Sequence, residues 1–257
     1  MIILVVCAGC AVVVAGVCLF GSASASPRQS AAESPGVPRR SAEEVGPARM
    51  YGDSLTYQAR KNLAFLYAAT HHHQSLKVGS MGGTALCDWA PTIVRDLTAL
   101  PPPKSVTLEF SGNNVTSCMG AFMGTGGFAA GSPAFFDAYR ASLGQVMAAA
   151  RRARVRVFWA EPPVRPSDAV IPRLNDDFAA MARTSGATVI DGSRSVADAA
   201  GRWTATLPCG LHEGVAEGCV DGTIPVRSRD RLHFTDTPDA YSGGSVRWSE
   251  ATVTGIP

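Results

Sequence analysis

Apolar positions along the chain follow two alternating patterns, one with strand spacing and one with helix spacing. Short runs with strand character are predicted at residues 45–51, 76–79, 105–110, 155–160 and 187–190. Between and after them, apolar residues recur every three or four positions, which predicts helices at residues 55–70, 89–99, from 133 into 151–154, 173–184 and, as a small closing helix, 241–252. Strands that alternate with helices favour an α/β fold with a largely parallel sheet.

Capping residues mark where the predicted helices begin. Ser132 is the expected N-cap of the third helix, with Pro133 at its first helical position. Asp88 is the expected N-cap of the second helix, which three consecutive prolines terminate. Residues 115–131 are rich in glycine and lack periodicity, which predicts a long loop. The chain after Asp191 is predicted to be irregular.

The N-terminus has the composition of a targeting segment. Residues 2–20 are apolar and uncharged, long enough for a membrane-spanning helix, and the Ala-Ser-Ala at residues 23–25 fits the pattern that signal peptidase cleaves. We therefore predict that residues 1–25 are either a signal peptide or an N-terminal membrane anchor. Residues 26–44, rich in Ser, Ala, Pro and Gly, are predicted to be a flexible linker, and residues 45–257 the folded domain.

Four cysteines lie outside the apolar N-terminal segment: Cys87, Cys118, Cys209 and Cys219. Either interpretation of the N-terminus makes the domain secreted or anchored on the extracytoplasmic side of a membrane, where disulfides form. An even count predicts two disulfides, and four cysteines allow three pairings. One of these pairings closes a short loop between Cys209 and Cys219 and leaves Cys87 with Cys118.

The charge balance gives no argument for nucleic acid as a partner. The 257 residues contain 23 Lys and Arg against 21 Asp and Glu, a formal net charge of +2. So weak an excess gives no indication of nucleic-acid binding. The arginine-rich residues 151–154 are better explained as cations at a helix C-terminus, where they complement the helix dipole.

A candidate nucleophile lies where the first predicted strand becomes the first helix, in the sequence Gly52-Asp53-Ser54-Leu55. A serine at this junction is exposed at the C-terminal edge of the sheet, and the backbone N–H groups of the helix start can stabilise an anion. By itself the motif is more typical of a helix cap formed by Asp53 and Ser54.

Three further blocks supply complementary chemistry. The Gly-Gly-Thr of residues 82–84 and the Ser-Gly-Asn-Asn of residues 111–114 follow the second and third strands. Glycine N–H groups and an asparagine amide there, together with the Ser54 N–H, predict an oxyanion hole. Near the C-terminus, Asp230 lies three residues before His233, as a carboxylate that orients a general base requires.

The four blocks, in this order, resemble those of the SGNH hydrolase family, also called GDSL lipases and esterases. The family pattern is Gly-Asp-Ser-Leu, a glycine, Gly-x-Asn-Asp and Asp-x-x-His, and the resemblance covers nearly the whole predicted domain, from about Met50 to His233. It implies a three-layer α/β fold in which helices enclose a five-stranded parallel sheet of flavodoxin-like order.

The resemblance also implies roles for individual residues. Ser54 corresponds to the nucleophile, His233 to the general base and Asp230 to the carboxylate that orients it. Gly83, Asn114 and the Ser54 backbone N–H correspond to the donors of the oxyanion hole. Gly83 is preferred to its neighbour because Thr and Ala follow it, and Asn114 precedes a valine where the family usually has aspartate.

Two other residues allow two interpretations each. Trp89 either lines the acyl pocket or is a structural tryptophan held by a Cys87–Cys118 bridge. Asp191, at the end of a predicted strand, is either an alternative carboxylate or, more typically, a helix cap.

The predicted function is that of an exported serine esterase that hydrolyses carboxylic esters through an acyl-enzyme. The expected partner is a small-molecule, glycan or lipid ester, and the chemistry requires no metal or organic cofactor. One alternative is an O-acyltransferase or deacetylase that acts on cell-envelope polysaccharide with the same triad. The other is a catalytically inactive binding domain on the same fold.

Overall fold

The structure is a computed structural model, and it describes residues 46–121, 127–215, 218–235 and 243–257. The predicted signal peptide or anchor and the predicted linker, residues 1–25 and 26–44, lie outside these ranges. Part of the predicted loop at 115–131 and the first two residues of the predicted helix at 241–252 also lie outside them.

The described part of the chain alternates strands and helices as the hydrophobic pattern predicts. Its elements are β1 (Ala48–Gly52), α1 (Ser54–Thr70), β2 (Leu76–Ser80), α2 (Leu86–Leu97), β3 (Ser105–Glu109), α3 (Pro133–Ala153), β4 (Arg156–Ala160), α4 (Val170–Ser185), β5 (Thr188–Ile190), β6 (Thr206–Pro208), β7 (Thr223–Pro225) and α5 (Gly244–Thr254).

A parallel sheet of five strands in the order β2-β1-β3-β4-β5 forms the centre of the fold. In the register of this sheet, Met50 of β1 pairs with Val78 of β2 on one side and with Thr107 of β3 on the other. This order confirms the predicted flavodoxin-like fold class. Ligands of such sheets bind beyond the C-terminal ends of the strands, where the strand order reverses beside β1.

Helices cover both faces of the sheet and bury one apolar cluster on each. On one face, α1 and α5 contribute residues such as Leu63 and Trp248. On the other face, α2, α3 and α4 contribute residues such as Ile93, Phe135 and Leu174. Because each helix buries one apolar stripe and each strand is covered on both sides, the fold has three layers.

Helix α5 corresponds to the small closing helix that the sequence predicts at residues 241–252. Trp248 is fully buried, and its indole Nε1 donates to the Glu161 carbonyl oxygen at 3.1 Å. The start of α3 is also confirmed, because the Ser132 hydroxyl accepts from the Phe135 N–H at 3.3 Å with Pro133 at the first helical position.

The predicted start of α2 is wrong by three residues. The helix begins at Leu86, with Ala85 at the N-cap position. Asp88 lies in the first turn, where its carboxylate accepts from the Ala85 N–H at 2.8 Å. Asp88 therefore stabilises the helix start from its third position, the position that the acidic residue of a capping box takes.

The chain after Asp191 is more regular than predicted. Strands β6 and β7 pair antiparallel, with Leu207 opposite Ile224. Each strand has three residues, which is too short for the alternation of apolar and polar residues to identify it in the sequence.

Two disulfides are present, as predicted, and of the three pairings that the sequence allows the structure has Cys87–Cys118 and Cys209–Cys219. The first joins the first turn of α2 to a short 3-10 turn at Ser117–Met119, which follows the Asn113-Asn114 sequence. None of the helices in the described residues has the length and apolar character needed to cross a membrane.

The two disulfides should contribute unequally to stability. On the chain-entropy model, a sequence separation of 31 residues contributes about 3–4 kcal/mol and one of 10 residues about 2–3 kcal/mol. We therefore expect urea unfolding to show a larger loss of unfolding free energy for Cys87→Ser/Cys118→Ser than for Cys209→Ser/Cys219→Ser. A larger loss for the second pair would contradict the chain-entropy explanation.

Candidate active site

The Asp53 carboxylate is the centre of a hydrogen-bond network beneath Ser54. It is fully buried between the end of β1 and the start of α1. Its Oδ1 accepts from the Leu55 N–H at 3.1 Å, which caps the helix. Its Oδ2 accepts from the N–H and the hydroxyl of Ser111, both at 2.7 Å, and from Asn113 Nδ2 at 2.9 Å. One side chain therefore fixes the start of α1 relative to the segment after β3.

Gly52 allows the first turn of α1 to pass close to the sheet. A Cβ at this position would lie 2.1 Å from Thr56 Oγ1 and 2.7 Å from the Glu109 carbonyl oxygen. No side chain fits in this space, because real Cβ atoms essentially never make contacts under 3.0 Å. The glycine of the Gly-Asp-Ser-Leu motif is thus required by packing.

The first turn of α1 offers one backbone donor to a ligand. The N–H groups of Leu55, Thr56 and Tyr57 donate to Asp53 Oδ1, Glu109 Oε2 and the Asp53 carbonyl oxygen. The Ser54 N–H has no such partner among the described residues. A helix start leaves its first N–H groups without partners inside the helix, so the Ser54 N–H can stabilise an anion.

Asp230 and His233 contact each other in a tight turn. His233 Nδ1 lies 2.5 Å from Asp230 Oδ2, and Asp230 Oδ1 accepts from the N–H groups of Leu232 and His233 at 2.9 and 3.0 Å. Burial alone would raise the pKa of Asp230, but hydrogen bonds from the Ser228 hydroxyl, from His233 and from the backbone lower it well below its ordinary value. Asp230 is therefore a carboxylate at neutral pH and can stabilise a protonated imidazole.

One hydrogen bond brings this turn against the start of α1. The Phe234 N–H donates to Gln58 Oε1 at 3.1 Å. Gln58 follows Ser54 by four residues in α1 and therefore lies on the same helix face. Burial raises the pKa of Asp53, and the charge of His233 is among the influences that oppose this shift. The turn that carries His233 therefore packs against the helix that begins at Ser54.

The two adjacent glycines after β2 have different surroundings. A Cβ on Gly82 would lie 3.7 Å from the Ser54 Cβ, so Gly82 borders the predicted nucleophile. Gly83 has a φ of +77°, a conformation that favours glycine, and its Cβ would lie 3.8 Å from Val115 Cγ2. Gly82 therefore faces Ser54 and Gly83 faces Val115, and the preference for Gly83 as a donor stays a prediction.

The two asparagines after β3 make different contacts. Asn113 Nδ2 donates to Asp53 Oδ2 at 2.9 Å and to the Thr84 carbonyl oxygen at 3.1 Å. Asn114 Nδ2 donates to the Phe128 carbonyl oxygen at 2.8 Å. The structure therefore joins Asn113, and not the predicted Asn114, to the residues that flank Ser54 and the glycine turn.

A sequence signal for Asn113 exists. Residues 111–114 also resemble Gly-x-Asn-Asp if Ser111 takes the place of the glycine and Asn114 that of the aspartate, which aligns Asn113 with the asparagine of the pattern. The prediction instead aligned Gly112 with the glycine. Only the hydrogen bond to Asp53 distinguishes the two alignments.

Trp89 supports the glycine turn from below. Its indole Nε1 donates to Thr84 Oγ1 at 3.0 Å, and the Thr84 hydroxyl donates to the Met81 carbonyl oxygen at 2.7 Å. Its ring lies over Gly79 and packs against Tyr51, with ring centroids 5.7 Å apart. These contacts favour the structural interpretation of Trp89.

Two remaining groups of polar residues have structural explanations. Asp191 Oδ1 accepts from the Arg194 N–H at 3.2 Å, as expected of a cap on the short turn that follows β5. Among the described residues, Cys87, Asp88 and Cys118 form one cluster of potential metal ligands. The two sulfurs of this cluster are joined in a disulfide and therefore offer no thiolate to a metal.

Glu109 is a second buried carboxyl group, which sequence reasoning missed because it occupies a regular position in the β3 strand. Its Oε2 accepts from the Thr56 N–H at 3.2 Å and from the Thr56 hydroxyl at 2.7 Å. Burial raises the pKa of Glu109 well above its ordinary value, and the neighbouring charge of Asp53 raises it further. Because Asp53 accepts four hydrogen bonds, the negative charge resides on Asp53 and the proton on Glu109.

Comparisons with known proteins identify the family of the chain and its fold. A family model described as "Protein of unknown function (DUF459)" matches residues 49–241. No curated protein sequence matches the chain.

Several solved structures share the fold at low sequence identity. A GDSL-like lipase from Bacteroides thetaiotaomicron is 13% identical over 82% of this chain and 85% of its own, with a TM-score of 0.50. A member of the lipolytic protein G-D-S-L family from Veillonella parvula is 14% identical, with coverages of 82% and 97% and a TM-score of 0.50. The catalytic domain of peptidoglycan O-acetyltransferase A from Streptococcus pneumoniae is 10% identical, with coverages of 83% and 93% and a TM-score of 0.50. The chain therefore has the SGNH hydrolase fold that its motifs predict.

Glu109→Gln should reduce the pH dependence of stability. The folded protein keeps the Glu109 proton well above 4.5, the ordinary pKa at which the unfolded chain releases it. The wild-type free energy of unfolding therefore falls as pH rises from 4.5 through the range in which folded Glu109 stays protonated. Glutamine has no proton to release, so urea unfolding at about pH 5 and about pH 8 should show a smaller fall for the variant. Glu250→Gln, an exposed change, serves as control, and a variant that falls as steeply as wild type would contradict a protonated Glu109.

Proposed function

The chain belongs to the DUF459 family, and from its fold and its site we propose that it is an exported serine esterase that hydrolyses carboxylic esters. Ser54 is the nucleophile, His233 the general base and Asp230 the carboxylate that orients His233. The observation that carries the proposal is the Asp230–His233 contact of 2.5 Å in a turn that is hydrogen-bonded to α1 four residues after Ser54.

The reaction proceeds through an acyl-enzyme. His233 removes the proton of the Ser54 hydroxyl as Oγ attacks the ester carbonyl carbon, and Asp230 stabilises the imidazolium that forms. Collapse of the tetrahedral intermediate breaks the bond to the alcohol oxygen, which takes the proton from His233. Water then attacks the acyl-enzyme as His233 takes its proton, and the bond between the acyl carbon and Ser54 Oγ breaks as His233 returns that proton to Oγ, which releases the carboxylic acid.

Three donors stabilise the oxyanion in this scheme: the Ser54 N–H, the Gly83 N–H and an asparagine amide. The contacts of the two asparagines favour Asn113 over Asn114 for the amide, because Asn113 already bridges Asp53 and Thr84. During the reaction, the Asn113 amide N–H that donates to the Thr84 carbonyl oxygen would donate to the oxyanion instead.

The two disulfides support an extracytoplasmic location, because disulfides persist in oxidising compartments. An exported esterase meets small-molecule, glycan and lipid esters, and any of these can enter the proposed reaction. If a sugar hydroxyl replaces water in the second step, the same residues perform O-acyl transfer to a cell-envelope polysaccharide.

Fluorophosphonate labelling and ester hydrolysis should both depend on Ser54. We expect intact protein to react covalently with a fluorophosphonate probe and to hydrolyse p-nitrophenyl acetate. Ser54→Ala should abolish both activities, and Asp230→Asn should lower kcat by about 10²- to 10⁴-fold because the imidazole loses its orienting carboxylate.

The same assay separates the alternatives. Glycan acylation that exceeds hydrolysis when an oligosaccharide acceptor is added would identify a transferase. Failure of correctly folded wild-type protein to label would exclude the proposed chemistry and favour a binding domain.

The two asparagines should differ sharply in their effect on turnover. Loss of one oxyanion donor lowers kcat by about 10²- to 10³-fold. We expect a loss of this size in Asn113→Ala and a loss of less than about tenfold in Asn114→Ala, measured as kcat on p-nitrophenyl acetate. A larger loss of kcat in Asn114→Ala than in Asn113→Ala would identify Asn114 as the donor.

A further inference from the structure

Arg227 lies at the base of the turn that carries Asp230 and His233. Its backbone pairs with Phe234 in an antiparallel bridge, and the Ser228 N–H donates to the His233 carbonyl oxygen at 2.9 Å. The predicted base and its carboxylate are thus held on a closed loop that begins and ends beside Arg227.

The side chain of Arg227 folds under this loop. It is 4% exposed, and its Nη2 donates to the carbonyl oxygens of Arg231 and Val164, each at 3.4 Å. Val164 belongs to the segment between β4 and α4. The guanidinium therefore links the inside of the loop to the body of the fold.

Arg231 is the residue of the loop that most needs such support. It has a φ of +64°, in the left-handed region that non-glycine residues rarely adopt. It lies between Asp230 and His233, so its conformation sets the angle at which the two side chains meet. A donor to its carbonyl oxygen stabilises this unfavourable backbone conformation.

Burial of the Arg227 guanidinium costs free energy. Its Nε and Nη1 atoms are inaccessible to solvent and have no hydrogen-bond partner in the part of the chain that the structure describes. Burial lowers the pKa of Arg227 to about 10; the charge of Asp230 opposes this shift and that of Arg165 adds to it. Within the described ranges no carboxylate forms an ion pair with this guanidinium, and its aromatic neighbour is the Phe234 ring, whose centroid lies 5.8 Å from Cζ. Burying a cation with so few partners costs stability.

We propose that Arg227 is a positioning residue that holds the carbonyl of Arg231 and so keeps Asp230 in contact with His233 Nδ1. The catalytic consequence rests on the proposed function, whereas the geometric consequence can be tested without any activity. Arg227 acts through the loop and does not touch the reacting atoms.

The geometric test measures the His233 ring. In the wild type, the contact with Asp230 fixes one tautomer, with the proton on Nδ1, which the ring ¹⁵N chemical shifts report. We expect Arg227→Met, which keeps an apolar side chain in the buried site, to give shifts of mixed tautomers, and we expect the same of Asp230→Asn. Arg229→Met, an exposed arginine of the same loop, should leave the wild-type shifts unchanged.

The kinetic test separates positioning from binding. Because a small misplacement of a catalytic group can cost up to about 10²-fold, Arg227→Met should lower kcat on p-nitrophenyl acetate by about 10- to 100-fold, with KM changed by less than about threefold. Arg227→Lys keeps the charge, but its side chain ends one bond short of the position of Nη2, the atom that donates to both carbonyl oxygens, and it should lose at least about threefold in kcat.

The outcomes distinguish the two proposals. Wild-type ring shifts in both Arg227 variants would overturn the positioning role, and Arg227→Lys decides the question if Arg227→Met does not fold. Wild-type protein that fails to label with a fluorophosphonate would remove the proposed function but leave the ring measurement valid. Altered ring shifts with unchanged kcat would show that Arg227 fixes the turn without any consequence for catalysis, which would overturn its catalytic part.

Discussion

The site depends on the hydrogen bonds that the buried Asp53 carboxylate accepts. The carboxylate accepts from the first turn of α1 and from the segment after β3, so the two neighbouring strand ends are fixed to each other through one buried anion. The anion is stable there because four donors replace its water shell and because its neighbour Glu109 keeps a proton. Ser54 follows directly, at a helix start that Gly52 allows to lie against the sheet.

The opposite half of the site comes from the far end of the chain. A short loop closed beside Arg227 presents Asp230 and His233, and the hydrogen bond from Phe234 to Gln58 holds this loop against α1. The loop contains a left-handed non-glycine residue and covers a buried guanidinium. Both features cost stability, as is common at functional sites, and this agrees with the role proposed for the loop.

The outer parts of the site are held by a disulfide and by α2. Cys87–Cys118 ties the turn after Asn114 to the start of α2, and the same helix carries Trp89, which supports Thr84 below the glycine turn. The Thr84 carbonyl oxygen accepts in turn from Asn113. The two candidate donor segments are therefore supported by one helix, so a change at either segment affects the other.

The sequence by itself predicted the α/β fold class with a largely parallel sheet, the presence of two disulfides and the four blocks of candidate site residues, and the family resemblance added the five-stranded order. Hydrophobic periodicity and motif order carry this information because strand ends of a parallel sheet share one edge. The pairing of the four cysteines was left open. The start of α2, the short strands β6 and β7, the contacts of Asn113 and the burial of Glu109 and Arg227 were decided only by the tertiary structure. Each of these depends on which groups from distant parts of the chain replace water around a polar atom, and no local pattern records that choice.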